Sequence, residues 1–349
     1  MDDCVVYFTE DIVKEILLRC PLKSLLRFKC VCKSWYALIK NPEFVQQQLK
    51  NHSSPQLLIY TNGTPDDPDH DYHSITLISE ENPQTFKGMT HLIGSVDGLF
   101  LMYGTIDGTI SCTLWNPATR EVRPLLLPLP ESIIHAAPVL GFGFDPLTNE
   151  YKVVYFRCSI YHECEAAVYS CSRDSWSVLK PKESFPFYTN VKNTFCTAYL
   201  NGTYNWLLRG GHCCDYTILL FHFGSEMFEE IEGPNCNFLY TSVLGLMLMD
   251  DSIAILNYNR CCMLDYDIWV MIQPGVWNKI FTFECIGLIK SCYVSSLIFA
   301  DKASHLVSYN ARTKKTRRLG FQHSRLGIGA QHGGCGVFYY KESLVKLTQ

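Results

Sequence analysis

Apolar side chains in the first part of the chain recur at the spacing of one helical face. The first set runs from Ile12 to Leu17, and Thr9 before it has a side chain suited to cap a helix. Pro21 predicts the end of that helix. The later sets that predict further helices are Leu22 to Phe28, Trp35 to Ile39, and Phe44 with Val45 after the Asn41-Pro42 cap.

Three or four such short helices cannot bury all of their apolar side chains against one another. The surplus must therefore meet a partner protein or the rest of the chain. The pattern leaves two interpretations open, a docking module for a partner and a helical cap packed on the following domain.

From about residue 55 the pattern changes to short strands separated by Gly, Pro and Asn turns, which predicts sheets. A weak unit recurs, with an aromatic anchor, a polar turn and a further strand. Its anchors are Trp115, Tyr169, Phe221, Trp269 and Tyr309. An extra copy runs from Phe144 to Lys152. The anchors recur at irregular intervals near the repeat of roughly 40–50 residues that is typical of propeller blades. This period predicts a β-propeller of roughly six blades, with an open stack of two sheets as the alternative.

The predicted fold is a small all-α module at residues 5–50 followed by an all-β domain at residues 51–349. The 349 residues suit one small and one large domain. Hydrophobic residues make up 47% of the chain and aromatic residues 13%. This composition supports a substantial core and favours sheet over a helix bundle.

Charge is unevenly distributed along a chain whose formal net charge is −4. Residues 51–110 hold eight acidic residues and one basic residue, whereas residues 301–349 hold nine basic and two acidic ones. A polar, acidic loop runs from Pro65 to His73, and we expect it to be exposed. The acidic residues that would offer negative potential to a basic target, or simply be solvated, are Asp66, Asp67, Asp69 and Asp71.

The 17 cysteines include no C-x-x-C pair and no zinc-finger spacing, so we expect neither a metal nor a cofactor. No secretory leader is apparent, and the longest apolar run, Val243 to Met249, is far shorter than the roughly 20 residues of a membrane span. We therefore expect a cytoplasmic protein, also present in the nucleus, with reduced thiols. The basic strand from Arg312 to Arg318 lacks interleaved aromatics, so we expect no nucleic-acid binding.

The run from Glu10 to Tyr36, EDIVKEILLRCPLKSLLRFKCVCKSWY, resembles the plant F-box in nearly every position. The resemblance implies docking to a Skp-type adaptor, which joins a cullin, a RING subunit and a ubiquitin-charged conjugating enzyme. Residues that the likeness assigns to adaptor contact, some shared with the module's small core, are Phe8, Thr9, Ile12, Ile16, Leu17, Pro21, Leu25, Leu26, Val31, Cys32 and Trp35. The family usually opens with Leu-Pro where this chain has Phe8-Thr9, so a proline contact with the adaptor is missing.

The remainder is similar to the plant F-box-associated domain. Segments that carry this likeness include Asp97 to Leu99, Leu114 to Arg120, Gly141 to Asp145, Tyr151 to Val154, Asn201-Gly202 with Trp206, and Ile268 to Met271. The resemblance implies a kelch-like propeller that binds a target protein for ubiquitination and degradation, in a chain with no catalytic site of its own. Within the family the chain looks most like S-locus F-box proteins, including through Tyr339 to Leu344. Those of pollen recognise secreted stylar ribonucleases in self-incompatibility.

Two other classes of function remain as alternatives. The first is a propeller that binds a peptide or glycan outside any ligase, its helices serving only as a cap. The second is an enzyme, for which neighbouring pairs such as His212 and Cys213 are the candidates. Adjacency in sequence does not create a nucleophile and base, and no local signature accompanies this pair.

Overall fold

The computed structural model describes most of the chain between residues 8 and 347. The described ranges are 8–51, 56–62, 72–77, 84–87, 91–106, 109–127, 138–158, 164–179, 190–191, 198–209, 216–234, 242–249, 251–259, 265–284, 288–293, 296–310, 313–322 and 335–347. Over these ranges the chain forms four helices followed by 25 strands.

The helices form the N-terminal module that the apolar spacing predicts. They are α1 (Glu10–Leu18), α2 (Leu22–Phe28), α3 (Lys33–Lys40) and α4 (Pro42–Asn51). The cap at Asn41 is confirmed, since its Oδ1 accepts the Glu43 N–H at 2.8 Å. Thr9 occupies the cap position of α1, but its hydroxyl makes no capping bond, so that part of the prediction is wrong. Cys32, not expected as a cap, accepts the Trp35 N–H on its Sγ at 3.5 Å.

The strands form six antiparallel sheets, which we call blades 1 to 6. Blade 1 contains β1 (Gln56–Asn62), β2 (Tyr72–Leu77), β3 (Gln84–Lys87) and the C-terminal β25 (Cys335–Tyr340). Blade 2 contains β4 (His91–Val96), β5 (Leu99–Ile106), β6 (Thr109–Asn116) and β7 (Glu121–Leu125). Blade 3 contains β8 (Val139–Asp145), β9 (Glu150–Cys158), β10 (Cys164–Ser170) and β11 (Ser175–Leu179).

Blade 4 is the one five-stranded sheet of the described structure. It contains β12 (Asn190–Val191), β13 (Tyr199–Leu200), β14 (Thr203–Arg209), β15 (Tyr216–His222) and β16 (Met227–Glu232). Its two short strands, β12 and β13, both pair with β14. Blade 5 contains β17 (Ser242–Met249), β18 (Ser252–Asn259), β19 (Asp265–Gln273) and β20 (Val276–Glu284). Blade 6 contains β21 (Leu288–Tyr293), β22 (Ser296–Ala300), β23 (His305–Asn310) and β24 (Lys315–Gln322).

The six blades close into a ring through the strands on their inner side. Contacts run from β25 to β4, from β4 to β8, from β8 to β13 and β14, from β14 to β17, from β17 to β21, and from β21 back to β25. The last strand of the chain completes the first blade, with Tyr340 opposite Gln56. Closure removes the exposed sheet edges along the inner side. The propeller prediction is therefore confirmed, and the open two-sheet alternative is wrong.

The five aromatic anchors occupy equivalent places in this ring. Each anchor lies on the strand next to the outermost strand of its blade, from blade 2 to blade 6, in the order Trp115, Tyr169, Phe221, Trp269 and Tyr309. Each interval between successive anchors in the sequence thus measures one blade. The extra copy from Phe144 to Lys152 covers the first hairpin of blade 3.

Two tryptophan side chains on outer strands donate hydrogen bonds from their indole N–H groups to backbone carbonyls of, or next to, the neighbouring blade. Trp176 on the outer strand of blade 3 donates to the Leu126 carbonyl beyond blade 2 at 2.6 Å. Trp277 on the outer strand of blade 5 donates to the Glu232 carbonyl of blade 4 at 2.9 Å. Each bond satisfies a polar atom of an otherwise apolar ring and fixes one blade against the next.

A buried cation joins blades 3 and 4. Lys152 Nζ lies 2.7 Å from a carboxylate oxygen of Asp145 in its own blade and 2.7 Å from one of Glu226 in blade 4. The side chains of Lys152 and Asp145 are 3% and 0% exposed. Burial alone would raise the pKa of Asp145, but hydrogen bonds from Lys152 and Thr148 outweigh it and hold that pKa below its ordinary value.

The helical module lies on one defined face of the propeller. Ala118, in the turn between β6 and β7, packs against the module's core, and Val45 and Leu49 of α4 pack against the cluster between blades 2 and 3. The antiparallel pairing within blade 2 places the β4–β5 turn on the same face as the β6–β7 turn. β25 ends on this face, where Leu344 enters the helical core. β1 runs antiparallel to β25, so β1 ends at Asn62 and β2 begins at Tyr72 on the opposite face.

Candidate functional site

The helical module has a small but complete apolar core. Its buried members are Leu17, Leu18, Leu22, Leu25, Ile39, Phe44 and, from the far end of the chain, Leu344. Phe28 and Trp35 pack edge to face beside it, with ring centroids 5.5 Å apart. This side of the module is therefore occupied by the chain itself, as the helical-cap interpretation requires.

The other side of the module leaves large apolar side chains exposed. Their exposed fractions are 62% for Phe8, 46% for Ile12, 50% for Ile16, 60% for Val31 and 44% for Tyr36. Scattered exposed apolar residues are normal on a protein surface, but five on so short a module are a concentration. The docking interpretation and the cap interpretation thus each describe one side of the same module.

A groove on α1 contains two of these exposed side chains, Ile12 and Ile16. Ile12 and Ile16 are one helical turn apart, and Asp11, Glu15 and Arg19 flank them. Leu17 lies on the face of α1 that packs in the core, and Ile12 and Ile16 lie on the face of the same helix that is open to solvent. The groove offers an apolar floor with charged rims, which suits a partner helix with an apolar face.

The eleven residues assigned to adaptor binding by resemblance divide between the two sides. Those that are exposed are Phe8, Thr9, Ile12, Ile16, Pro21, Val31 and Cys32. Leu26 and Trp35 are half-buried, whereas Leu17 and Leu25 are 0% exposed and belong to the module's core. A partner that docks without unfolding the module therefore cannot contact these last two side chains.

A cluster of basic groups borders the exposed side. Lys40 Nζ lies 2.6 Å from the Tyr36 hydroxyl and 4.3 Å from the centroid of the same ring. This hydrogen bond from Lys40 lowers the pKa of the Tyr36 hydroxyl below its ordinary value. The neighbouring Lys40 ammonium likewise lowers the pKa of Lys346. The module thus presents acidic groups at α1 and basic groups at α3.

Several residues predicted to act on the propeller cannot be placed. Asp66, Asp67, Asp69 and Asp71 lie outside the described residues, between β1 and β2. His212 and Cys213 also lie outside them, as does Arg312. The described part of the basic strand lies on β24, the outermost strand of blade 6, where Lys315, Arg317 and Arg318 are exposed.

The described cysteines are free thiols in different surroundings. Cys112 is buried in blade 2, and its burial raises the pKa of its thiol to about 12. Burial also raises the pKa of Cys171 to about 12. Cys30 and Cys32, by contrast, are exposed on the helical module.

The described residues contain neither a cluster of metal-ligating side chains nor a helix of membrane-spanning length. Across the described part of the chain, no three His, Cys, Asp or Glu side chains converge as a metal centre would require. None of the described helices combines the length and apolar composition needed to cross a membrane.

Two features of the site were missed by sequence reasoning. Tyr36 is the last residue of the F-box-like run, and its pairing with Lys40 follows from their spacing of one helical turn. The insertion of Leu344 into the helical core joins the two ends of the chain, which local periodicity cannot detect. The only signal was a short apolar pattern after the last strand, Leu344, Val345 and Leu347.

Comparison with known proteins agrees with both parts of this structure. The F-box domain matches residues 8–47, and the F-box associated beta propeller domain matches residues 58–347. The F-box protein CPR1 of Arabidopsis thaliana is 28% identical over 336 residues, covering 86% of this chain and 79% of CPR1. An F-box/kelch-repeat protein of the same plant is 27% identical over 333 residues, covering 86% of each chain.

Similarity to a solved structure is weak. The Dos1 propeller gives a TM-score of 0.42 at 10% identity, covering 77% of this chain and 68% of that one, which is too low to support an argument. The two domain matches lie on the two parts of the structure in order, helices first and ring second. This chain belongs to the family of plant F-box proteins that carry an F-box associated beta propeller domain.

Proposed function

We propose that this chain is the substrate-recognition subunit of a Skp–cullin–F-box ubiquitin ligase. The exposed side of its helical module binds a Skp-type adaptor, and its propeller binds the target protein. The observation that carries the proposal is the exposed apolar set Phe8, Ile12, Ile16 and Val31, on a module whose core is already complete. It supports a partner that covers the surplus, since burying each such side chain is worth roughly 1.5–3 kcal/mol.

The chain contributes proximity and no chemistry of its own in this proposal. A cullin and a RING subunit bring the ubiquitin-charged enzyme to the adaptor, and the propeller brings the target. The assembly works in the cytoplasm and in the nucleus. The ring suits this role because a closed propeller keeps its two faces at a fixed separation.

The adaptor test is a double substitution on α1, Ile12→Ala with Ile16→Ala. Alanine preserves the helix, and both side chains are about half exposed, so folding should not change. Adaptor affinity should fall at least about tenfold per truncated side chain that the partner buries. Affinity is measured by calorimetry with purified adaptor, and helix content by circular dichroism.

Leu126→Ala is the matched control, since Leu126 is 89% exposed on the propeller. It should leave adaptor affinity unchanged. Leu25→Ala with Trp35→Ala should also abolish binding, but Leu25 is fully buried, so that loss would report the folding of the module. Undiminished affinity of the Ile12→Ala, Ile16→Ala variant, with its helices intact, would contradict the proposed docking side.

A more specific version of this proposal concerns the target protein, which binds the propeller face opposite the helices. β1 ends at Asn62 and β2 begins at Tyr72 on that face, and the four acidic residues between them give the connection a negative charge. The target is then a basic protein of the class of secreted stylar ribonucleases, and the process is pollen self-incompatibility. The likeness to S-locus F-box proteins supports this form.

Removal of the four acidic charges between β1 and β2 tests this more specific version of the proposal. Replacing Asp66, Asp67, Asp69 and Asp71 with Asn should lower the rate of association with a basic ribonuclease and flatten its dependence on salt. Stopped-flow mixing at several ionic strengths measures both. An association rate that stays the same at low salt would remove this connection from the binding surface.

A further inference from the structure

The last stretch of described residues, Lys341–Leu347, forms a segment that we call the C-terminal strap. It leaves β25 at Tyr340 and passes between the helical module and blades 2 and 3. Leu344 is 2% exposed and packs with Leu17, Leu25 and Phe44 in the module's core. Val345 and Leu347 instead join the cluster between blades 2 and 3. One short segment thus belongs to both cores.

Buried polar groups hold the backbone of the strap to blade 2. Asn116, fully buried at the end of β6, donates from Nδ2 to the carbonyls of Ser343 at 3.1 Å and Val345 at 2.7 Å. The Oδ1 of the same side chain accepts the N–H of Ala118 at 3.0 Å, and Ala118 itself packs against the helices. Asn116 therefore orients the strap and the turn that supports the module together.

The end of the strap is fixed by charged groups of β7. Glu121 accepts the Leu347 N–H at 3.0 Å, and Arg123 donates to the Leu347 carbonyl at 2.7 Å. Arg123 also pairs with Asp174 of blade 3 at 2.8 Å, so the strap is tied to two blades. At the start of the strap, Gly98 has φ +78°, and a Cβ there would lie 2.4 Å from the Lys341 carbonyl oxygen. Only glycine accommodates both that conformation and that approach.

We propose that the C-terminal strap is a positioning element for adaptor binding, acting through the helices that it supports. Leu344 completes the helical core, and the hydrogen bonds of the strap set that core on blade 2. Adaptor affinity then depends on residues that the adaptor does not touch. The inference rests on the proposed function for its affinity measurement, whereas its effect on the helices can be measured without any partner.

The physical reason is the small size of the module. Its four helices run only from Glu10 to Asn51, and they bury only six large side chains of their own beside Leu344. A core of that size does not hold a domain together unaided. Truncation of Leu344 should therefore increase local opening of the helices while the ring, closed through β1 and β25, stays folded.

The experiment compares the full chain with Leu344→Ala and with Lys341→Ala as the matched control. Lys341 lies on the same strap but its side chain is exposed. Leu344→Ala should speed the hydrogen exchange of the slowest amides in α1–α4 at least tenfold, leave β8–β10 unchanged, and weaken adaptor binding at least tenfold. Lys341→Ala should change exchange and affinity by less than twofold. If Leu344→Ala does not fold, Leu344→Val gives the same test with a smaller cavity.

A conservative variant separates positioning from general damage. Leu344→Met keeps the volume of the side chain and should retain wild-type adaptor affinity. Unchanged helix exchange in Leu344→Ala would overturn the inference, as would faster exchange with undiminished affinity. If even the wild-type chain fails to bind any adaptor, the proposed function fails, and the exchange comparison still decides whether the strap supports the helices.

Discussion

Two parts of the ring join their blades by different means. Between blades 3 and 4, Lys152 is 3% exposed and contacts Glu226 across the junction, while Asp145 beside it is 0% exposed. Between blades 5 and 6 the core is an apolar cluster that includes Leu256, Ile268, Leu297 and Phe299. The ion pair described in blade 5, Lys279 with Asp267, lies within one blade, and its side chains are 41% and 24% exposed.

The difference shows at which junctions polar contacts fix the orientation of one blade relative to the next. Apolar clusters hold blades together without specifying direction, whereas buried ion pairs and hydrogen bonds require one geometry. The polar junctions include Arg123 with Asp174 and Tyr151 with Asp97, and both adjoin the strap or the turns beneath the helices. Among the described residues, the junction of blades 2 and 3, on which the helical module packs, thus holds more than one directional contact.

Loss of the buried cation should have the largest effect on the ring. Lys152→Met leaves Asp145 buried without its partner and removes the contact with Glu226. Breaking a buried pair in this way costs about 3–5 kcal/mol of the free energy of unfolding. Denaturant unfolding followed by tryptophan fluorescence measures the loss.

The matched control changes the same residue type at the exposed pair. Lys279→Met removes a contact of nearly equal length, 2.8 Å from Asp267, and should cost at most about 1 kcal/mol. Equal costs for the two variants would show that burial does not distinguish the two ion pairs. The comparison between the two parts of the ring would then fail.

Much of this fold follows from local sequence patterns. The helical spacing at Ile12 to Leu17 predicts α1. Each aromatic anchor predicts one blade, because the strand next to the outermost strand carries such an aromatic residue in blades 2 to 6. The extra copy from Phe144 to Lys152 is the hairpin that contains the buried ion pair of Asp145 and Lys152. The repeat pattern in the sequence therefore also marks the polar junction between blades 3 and 4. These features are local, and local periodicity reports them faithfully.

The remaining features depend on contacts across long stretches of chain. Ile16 and Leu17 are neighbours of equal hydrophobicity, yet one is half exposed and the other is fully buried. Leu17 packs in the core that Leu344 joins from the opposite end of the chain, whereas Ile16, one position earlier on α1, is half exposed. The exposed and the buried apolar residues of the module therefore look alike in the sequence, and only the packing of the folded chain distinguishes them.

The smallest predicted effect concerns two tryptophans at the junction of blades 4 and 5. Both pack against the same apolar cluster, but Trp277 donates its N–H to the Glu232 carbonyl, whereas the buried Nε1 of Trp269 has no partner among the described residues. Both Phe variants lose similar ring area, but only Trp277→Phe also loses a hydrogen bond. It should therefore reduce the free energy of unfolding by about 0.5–1.5 kcal/mol more than Trp269→Phe. Denaturant unfolding measures this difference. Equal losses would mean that the indole hydrogen bond at this junction contributes nothing beyond apolar packing. The junction between blades 4 and 5 would then be held by apolar packing, like the one between blades 5 and 6.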